Sequence, residues 1–181
     1  MSTGFNRTDR LFLPSLKMLN DLIEISEYES SEDKLDVTEV PVNDILVAVR
    51  EKHPEASAGV TLEYYTTNET ETVTTNLEAV VRIMGCLVDN TIKNTTLGSI
   101  KVEYTNSGGK AILSVTDTGR GIPADNAEKI FERFYKIDEF VPGVGLGLTL
   151  SSAIATKINA TVSLDTWKER DSSSYCRALL R

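Results

Sequence analysis

A two-layer α/β sandwich, a mixed sheet with helices on one face and a single helix ahead of it, is the fold class the sequence predicts. Three observations lead there. From residue 35 onward, stretches of period-two alternation take turns with stretches of helical period. Residues 99–104 and 110–116 read as strands on either side of Asn106-Ser107-Gly108-Gly109, a hairpin signal. The second of these strands runs into Asp117-Thr118-Gly119-Arg120-Gly121-Ile122-Pro123, which delivers a carboxylate, two glycines and a proline to one edge of the sheet.

In chain order, a helix is expected after Arg10, where Phe12, Leu16, Leu19 and Ile23 keep a helical period and Met18 and Leu22 widen the stripe. Pro14 falls early, where a first turn tolerates it. The polar run Glu29-Ser30-Ser31-Glu32-Asp33 reads as a domain boundary, dividing the chain into 1–32 and 33–181. A short strand over 35–40 and a helix over 45–52 follow, with Asn43 as the expected cap. Pro54 ends that helix by pushing His53 out of the helical region, and His53 reads as a solvated helix-terminal residue. Strands over 59–67 and 70–75 are joined by the turn-prone Asn68-Glu69, and Asn76 caps a long helix running to about Lys93. After the glycine motif, Pro123 leads into a helical segment over 124–134. The glycine-rich loop at 143–148 opens a helix over 146–157, and strands over 161–165 and 173–180 complete the sheet.

At 181 residues the chain can bury one sizeable core and carry a small appendage. A formal net charge of -8 argues against a nucleic-acid surface, because phosphate contacts need concentrated Lys and Arg. It does not exclude a nucleotide, for which a few placed cations and helix ends suffice. Cys86 and Cys176 lie in apolar contexts and are expected to be buried, reduced thiols. No apolar run approaches membrane-spanning length and Met1-Ser2-Thr3-Gly4-Phe5 is no secretory signal, so a cytoplasmic chain without membrane contact is expected, although a parent protein could be anchored.

The long helix separates two kinds of residue. Cys86, Asn90 and Lys93 share one face at i, i+4 and i+7, while Val80, Ile83, Leu87 and Thr91 lie on another, towards the sheet. Asn90 can offer an amide oxygen to a hard cation such as Mg²⁺, and Lys93 can meet a phosphate as a point charge. Ionised Asp117 only accepts hydrogen bonds, which suits an amino group or a metal. Gly119 and Gly121 leave no Cβ between backbone and ligand. Each feature alone has a plainer reading: a tight turn for the glycine motif, a solvated helix end for Asn90 and Lys93.

The order of the features is more specific than any one of them. Residues 87–95 (Leu-Val-Asp-Asn-Thr-Ile-Lys-Asn-Thr), 117–123, 130–136 (Ile-Phe-Glu-Arg-Phe-Tyr-Lys) and 143–148 (Gly-Val-Gly-Leu-Gly-Leu) resemble, in this order, the N, G1, F and G2 boxes of the ATP-binding domain of sensor histidine kinases. That domain belongs to the ATPase family of DNA gyrase B, Hsp90 and MutL. The resemblance covers roughly residues 33–181, and residues 16–30 resemble the end of a kinase dimerisation hairpin.

The resemblance implies ATP and Mg²⁺ as cofactors. Asp117 would accept the adenine amino group, Gly119 and Gly121 would let the backbone approach the ring, and Ile122 would line its slot. Phe131 and Phe134 would anchor a lid over 137–142. Tyr135-Lys136 stands where the family carries a basic residue reaching the phosphates, with Arg133 a second candidate. Gly143, Val144, Gly145, Leu146 and Gly147 would meet the phosphates with free N–H groups at a helix start. Asn90 would hold the metal, and Asn90, Lys93 and Lys136 would serve phosphoryl transfer from ATP to a histidine. Lone His53 lacks the acidic context of an acceptor, so the acceptor would lie outside this chain, on the dimerisation domain of the same homodimeric protein, with a response regulator receiver domain downstream. Two positions depart from the family pattern. Cys86 stands where an Asn or acidic residue usually precedes the metal-binding Asn by four, and Asn94 where many relatives carry an aromatic ring. A related serine kinase and a nucleotide-binding signalling module without catalysis are the alternatives.

Overall fold

The computed structural model describes residues 9–68, 70–165 and 175–180. Helix α1 (Asp9–Ser30) is followed by β1 (Thr38–Pro41), α2 (Val42–Lys52), β2 (Val60–Thr66), β3 (Thr72–Thr75) and α3 (Leu77–Asn94). The hairpin β4 (Gly98–Ser107) and β5 (Lys110–Asp117) leads to α4 (Gly147–Lys157), β6 (Thr161–Asp165) and β7 (Tyr175–Leu180). Five strands form one sheet in the order β2-β4-β5-β7-β6, with β2 parallel to β4 and the other pairs antiparallel. The predicted mixed sheet is therefore present, with α2, α3 and α4 packed against it.

Local chemistry explains the best-defined pieces. Gly108 and Gly109 have φ of 61° and 78°, the pair of positive values that a two-residue hairpin turn of this hand requires. The Asn76 side chain accepts from the Ala79 N–H at 3.0 Å and caps α3 as expected. Val80, Ile83, Leu87 and Thr91 are all buried, and the three apolar ones share one core with Ile100 and Val102 of β4 and Leu113 and Val115 of β5.

Several expectations need correction. β2 and β3 do not pair; β3 joins β1 in a separate antiparallel ribbon, because the register Val40↔Val73 buries both valines. Glu69 of the connecting turn lies outside the described residues. α2 starts at Val42 behind Pro41, not behind an Asn43 cap. The Val42 N–H donates to Glu71 O at 2.9 Å, so the ribbon supplies the acceptor a cap would have provided. Residues 124–134 are not one α-helix but two short 3₁₀ turns, Ala124–Asn126 and Lys129–Phe131. Of the second turn only Ile130 is buried, too little apolar stripe to hold an isolated helix. The expected start of the last strand at 173–174 and the side chains of Phe12 and Pro14 lie outside the described residues.

α1 packs mainly on α4, and Ile25 is fully buried in the common core with Met18, Leu22 and Tyr28 beside it. The stripe of Leu16, Leu19 and Ile23 turns outward. Charges fasten the docked face: Arg82 of α3 bonds Asp21 at 2.8 Å and Glu24 at 2.7 Å, Lys17 reaches Asp89 at 3.1 Å, and Arg133 pairs with Glu29.

His53 is not solvated. Its side chain is only 13% exposed, with Nε2 3.1 Å from Asp89 Oδ1 and Nδ1 3.2 Å from Val49 O. Both neighbours are acceptors, so only the doubly protonated ring satisfies both contacts. The hydrogen bond to Asp89 raises the His53 pKa against the opposing effect of burial, and the same bond holds the Asp89 carboxyl below its usual range. A raised histidine pKa means the folded state binds the proton more tightly. The stabilisation is complete below the unfolded value of about 6.5 and is lost as pH rises through the higher folded value. His53→Gln is expected to cost about 1 kcal/mol at pH 6 and less at pH 9. Melting both proteins across that range checks it; a gap that widens with pH contradicts the protonated ring.

Candidate functional site

α3, the turn after β5, the segment 135–148 and one side of α1 enclose a cavity of about 480 Å³. Its floor is set by the end of β5. Asp117 is 5% exposed, and the Gly119 N–H donates to Asp117 Oδ1 at 2.8 Å. A Cβ on Gly119 would stand 2.7 Å from that oxygen and 3.0 Å from Asn94 O. Glycine is needed there so that the backbone can fold back onto the carboxylate. Gly119 thus shapes the floor without lining the cavity, whereas Asp117, Gly121 and Ile122 line it.

On the α3 wall, Asn90 and Lys93 face the cavity as the spacing predicts. Lys93 points across to the glycine-rich loop: a Cβ on Gly143 would lie 3.7 Å from its Nζ. Cys86 shares the wall but is 6% exposed and packed near Gly147 at the start of α4. Burial pushes its thiol pKa up, so it behaves as a small neutral packing group. Cys176 also borders the cavity; burial, then the nearby Asp117 charge, pushes its thiol up to about 12. Both cysteines are free and buried, as expected.

The loop wall contains Tyr135, Lys136, Gly143, Val144, Gly145, Leu146 and Gly147. The Tyr135 hydroxyl donates to Asn126 Oδ1 at 3.0 Å, and Lys136 Nζ donates to Glu139 O at 2.9 Å. Leu146 makes no side-chain cap bond at the start of α4, which leaves the helix N–H groups turned to the cavity end of the loop without a side-chain acceptor. Phe131, Arg133 and Phe134 do not line the cavity. Phe131 packs on the core and its carbonyl accepts from Thr149 Oγ1 at 2.9 Å. The Phe134 ring is half exposed; it is the backbone that is anchored, at φ 64°, with its N–H donating to Gly145 O at 3.0 Å. Arg133 is drawn away to Glu29 on α1.

Sequence reasoning missed several contributors from outside the four boxes. Lys17, Met18 and Asp21 of α1 and Arg82 of α3 also line the cavity. Arg82 could have been found, since it lies one turn before Cys86 on the same face. The α1 residues carry no local signal, because tertiary docking alone brings them there. Among the described residues no group of three or more His, Cys, Asp or Glu could hold a metal by itself. A metal carried by phosphates is a different case, and there Asn90 offers a neutral oxygen donor facing the cavity.

Residues 75–178 match the model of the histidine kinase-, DNA gyrase B- and HSP90-like ATPase family. The chain belongs to this family. The family match spans α3, all the sheet strands from β4 to most of β7, and every one of the four boxes. Among relatives of this ATPase family, the sensor-like histidine kinase SenX3 of Mycolicibacterium smegmatis is 27% identical over 172 residues, which are 87% of this chain and 42% of that protein. The sensor protein IrlS of Burkholderia pseudomallei is 37% identical over 89 residues, 46% of this chain and 19% of IrlS. The chain thus spans less than half the length of these relatives. Among solved structures, full-length ShkA in complex with AMPPNP has a TM-score of 0.80 at 21% identity, over 98% of this chain and 40% of ShkA. Acinetobacter baumannii histidine kinase AdeS has a TM-score of 0.76 at 18% identity, over 98% and 85% of the two chains. These likenesses establish the ATPase fold with its leading helix. No helix among the described residues is long and apolar enough to cross a membrane.

Proposed function

We propose that this chain is the ATP-binding catalytic part of a sensor histidine kinase, which transfers the γ-phosphoryl group of ATP to a histidine outside residues 1–181. The observation that carries the reading is the convergence of buried Asp117, Asn90, Lys93 and the loop 143–147 on one cavity within a family ATPase fold. Residues 33–181 form the ATP-binding unit, and residues 1–32 end a dimerisation hairpin. The outward Leu16, Leu19 and Ile23 stripe supports this, since it suits a neighbouring helix of a homodimer. A cytoplasmic setting and a receiver-domain partner follow from the same reading.

Asp117 orients the base by accepting its amino group. Lys93, from α3, and Lys136, from the lid side, offset phosphate charge, and the N–H groups at the start of α4 bind oxygens. Asn90 would be the protein ligand of Mg²⁺, which when bound neutralises the phosphates and polarises the transferring group. The protein supplies positioning and charge more than covalent chemistry. Adding a purified hairpin that bears an acceptor histidine, with labelled ATP, should give labelled hairpin, and Asn90→Ala should lower the rate at least tenfold. Labelling that is insensitive to Asn90 contradicts the assignment.

Cys86 favours a second reading, a module that binds nucleotide without transfer. Its buried thiol offers no hard-metal donor one turn before Asn90. Because Cys86 is packed, Cys86→Asn is expected to bury a poorly paired amide and cost about 1–3 kcal/mol, with no gain in Mg²⁺ dependence. Melts of both proteins with ATP, with and without Mg²⁺, decide this. A variant of unchanged stability that gains an Mg²⁺-dependent shift would show that position 86 can coordinate.

A further inference from the structure

Arg120 stands between the two glycines that follow Asp117, and it lines the cavity. Nη1 donates to Asp138 Oδ2 at 2.6 Å and Nη2 to Asn94 Oδ1 at 3.3 Å. Each partner is itself held. Asn94 Nδ2 donates to Asn90 O at 2.8 Å, which turns its carbonyl oxygen towards Arg120. Asp138 Oδ1 accepts the Phe140 N–H at 2.9 Å, so the carboxylate is fixed to the lid backbone. The guanidinium therefore ties the end of α3, the glycine turn and the lid together through its edge.

An arginine bound by its edge keeps both planar faces available, and those faces are weakly hydrated and stack on aromatic systems. The cavity already presents an acceptor, Asp117, and an apolar side chain, Ile122, for a flat polar ring. Asn94, at the end of α3, contributes no ring of its own. Asp138 answers the charge of Arg120, which reduces what the guanidinium would gain from a phosphate but leaves its faces unaffected. Lys93 is better placed for phosphate, since it faces the glycine-rich loop.

We propose that Arg120 is a base-contacting residue: its guanidinium, clamped between Asn94 and Asp138, covers the purine and couples occupancy of the base slot to the position of the lid. This rests on the nucleotide-site reading above. Stacking by a guanidinium does not depend on the phosphates, so it acts equally on nucleoside and nucleotide.

Calorimetry on the full chain with adenosine, ADP and ATP separates the possibilities. Arg120→Ala should weaken all three by the same factor, about tenfold. Arg120→Lys keeps the charge without the plane and should not rescue, whereas Arg120→Trp supplies a plane and should. Amide exchange over residues 137–142 should also speed up in both Arg120→Ala and Asp138→Ala. A loss confined to ADP and ATP, rescued by lysine, overturns the proposal in favour of a phosphate contact. Unchanged affinities in Arg120→Ala, with binding still sensitive to Asp117→Asn, overturn the role of Arg120 alone. Failure of the unaltered chain to bind adenosine overturns both this proposal and the site reading.

Discussion

Asp117→Asn is expected to weaken ATP binding about 10- to 100-fold and to remove the preference for adenine over guanine. The geometry makes the direction specific. The Gly119 N–H donates to Asp117 Oδ1 at 2.8 Å, and that donor needs an oxygen. In the variant the amide must keep its oxygen on Gly119, which leaves its NH₂ towards the cavity. There it would meet the adenine amino group donor to donor, while the guanine oxygen at the same ring position would be welcome. Calorimetry with ATP and GTP on both proteins reads this directly. Equal affinities for ATP and GTP in the unaltered chain, or a variant that still prefers ATP by the same ratio, would sink the assignment of Asp117.

The largest structural effect is expected at Gly145. It has φ +75°, and a Cβ there would stand 2.5 Å from Tyr135 O, 2.8 Å from Phe134 C and 3.0 Å from Tyr135 N. All three are backbone atoms and cannot swing aside. The same residue accepts the Phe134 N–H at 3.0 Å, a bond that joins the segment after β5 to the glycine-rich loop. Gly145→Ala should therefore cost well over the ~1–2 kcal/mol of a left-handed alanine alone and lower ATP affinity by an order of magnitude or more. Gly108→Ala is the matched control, since φ there is +61° but nothing lies within 4 Å of the added methyl. Thermal melts of the two variants and calorimetry with ATP test the pair. If Gly145→Ala melts and binds as Gly108→Ala does, the close approach of the two segments is not required.

What could be read from the sequence was whatever depends on short-range chemistry. The Asn76 cap, the Gly108-Gly109 turn and the face shared by Asn90 and Lys93 follow from spacing and backbone preference within a few residues. Most of the errors arose where a distant segment supplied what local signals were assumed to supply. α2 lost its Asn43 cap because Glu71 provides an acceptor, and β3 pairs with β1 because Val40 and Val73 bury each other. The segment 124–134 looked helical, yet with so little of it buried it settles into two 3₁₀ turns. His53 looked solvated because Asp89, its partner, lies 36 residues away. In the site, the order of motifs leads to Asp117, Asn90 and the glycine loop, which line one cavity, whereas Arg133 lies outside it because α1, docked from a distance, pairs it with Glu29.

That docking has a thermodynamic corollary. Lys17, Met18 and Asp21 of α1 form part of the same cavity wall as Asn90 and Lys93, and Arg82 binds α1 while bordering that cavity. If undocking α1 changes the affinity for whatever fills the cavity by some factor, the occupant must change the docking equilibrium of α1 by the identical factor. The sign of that factor is set by whether the seated helix adds contacts to the occupant or takes its space. Measuring the cavity's affinity with α1 docked and with α1 undocked therefore also measures how strongly an occupied cavity holds or releases the helix that leads into it.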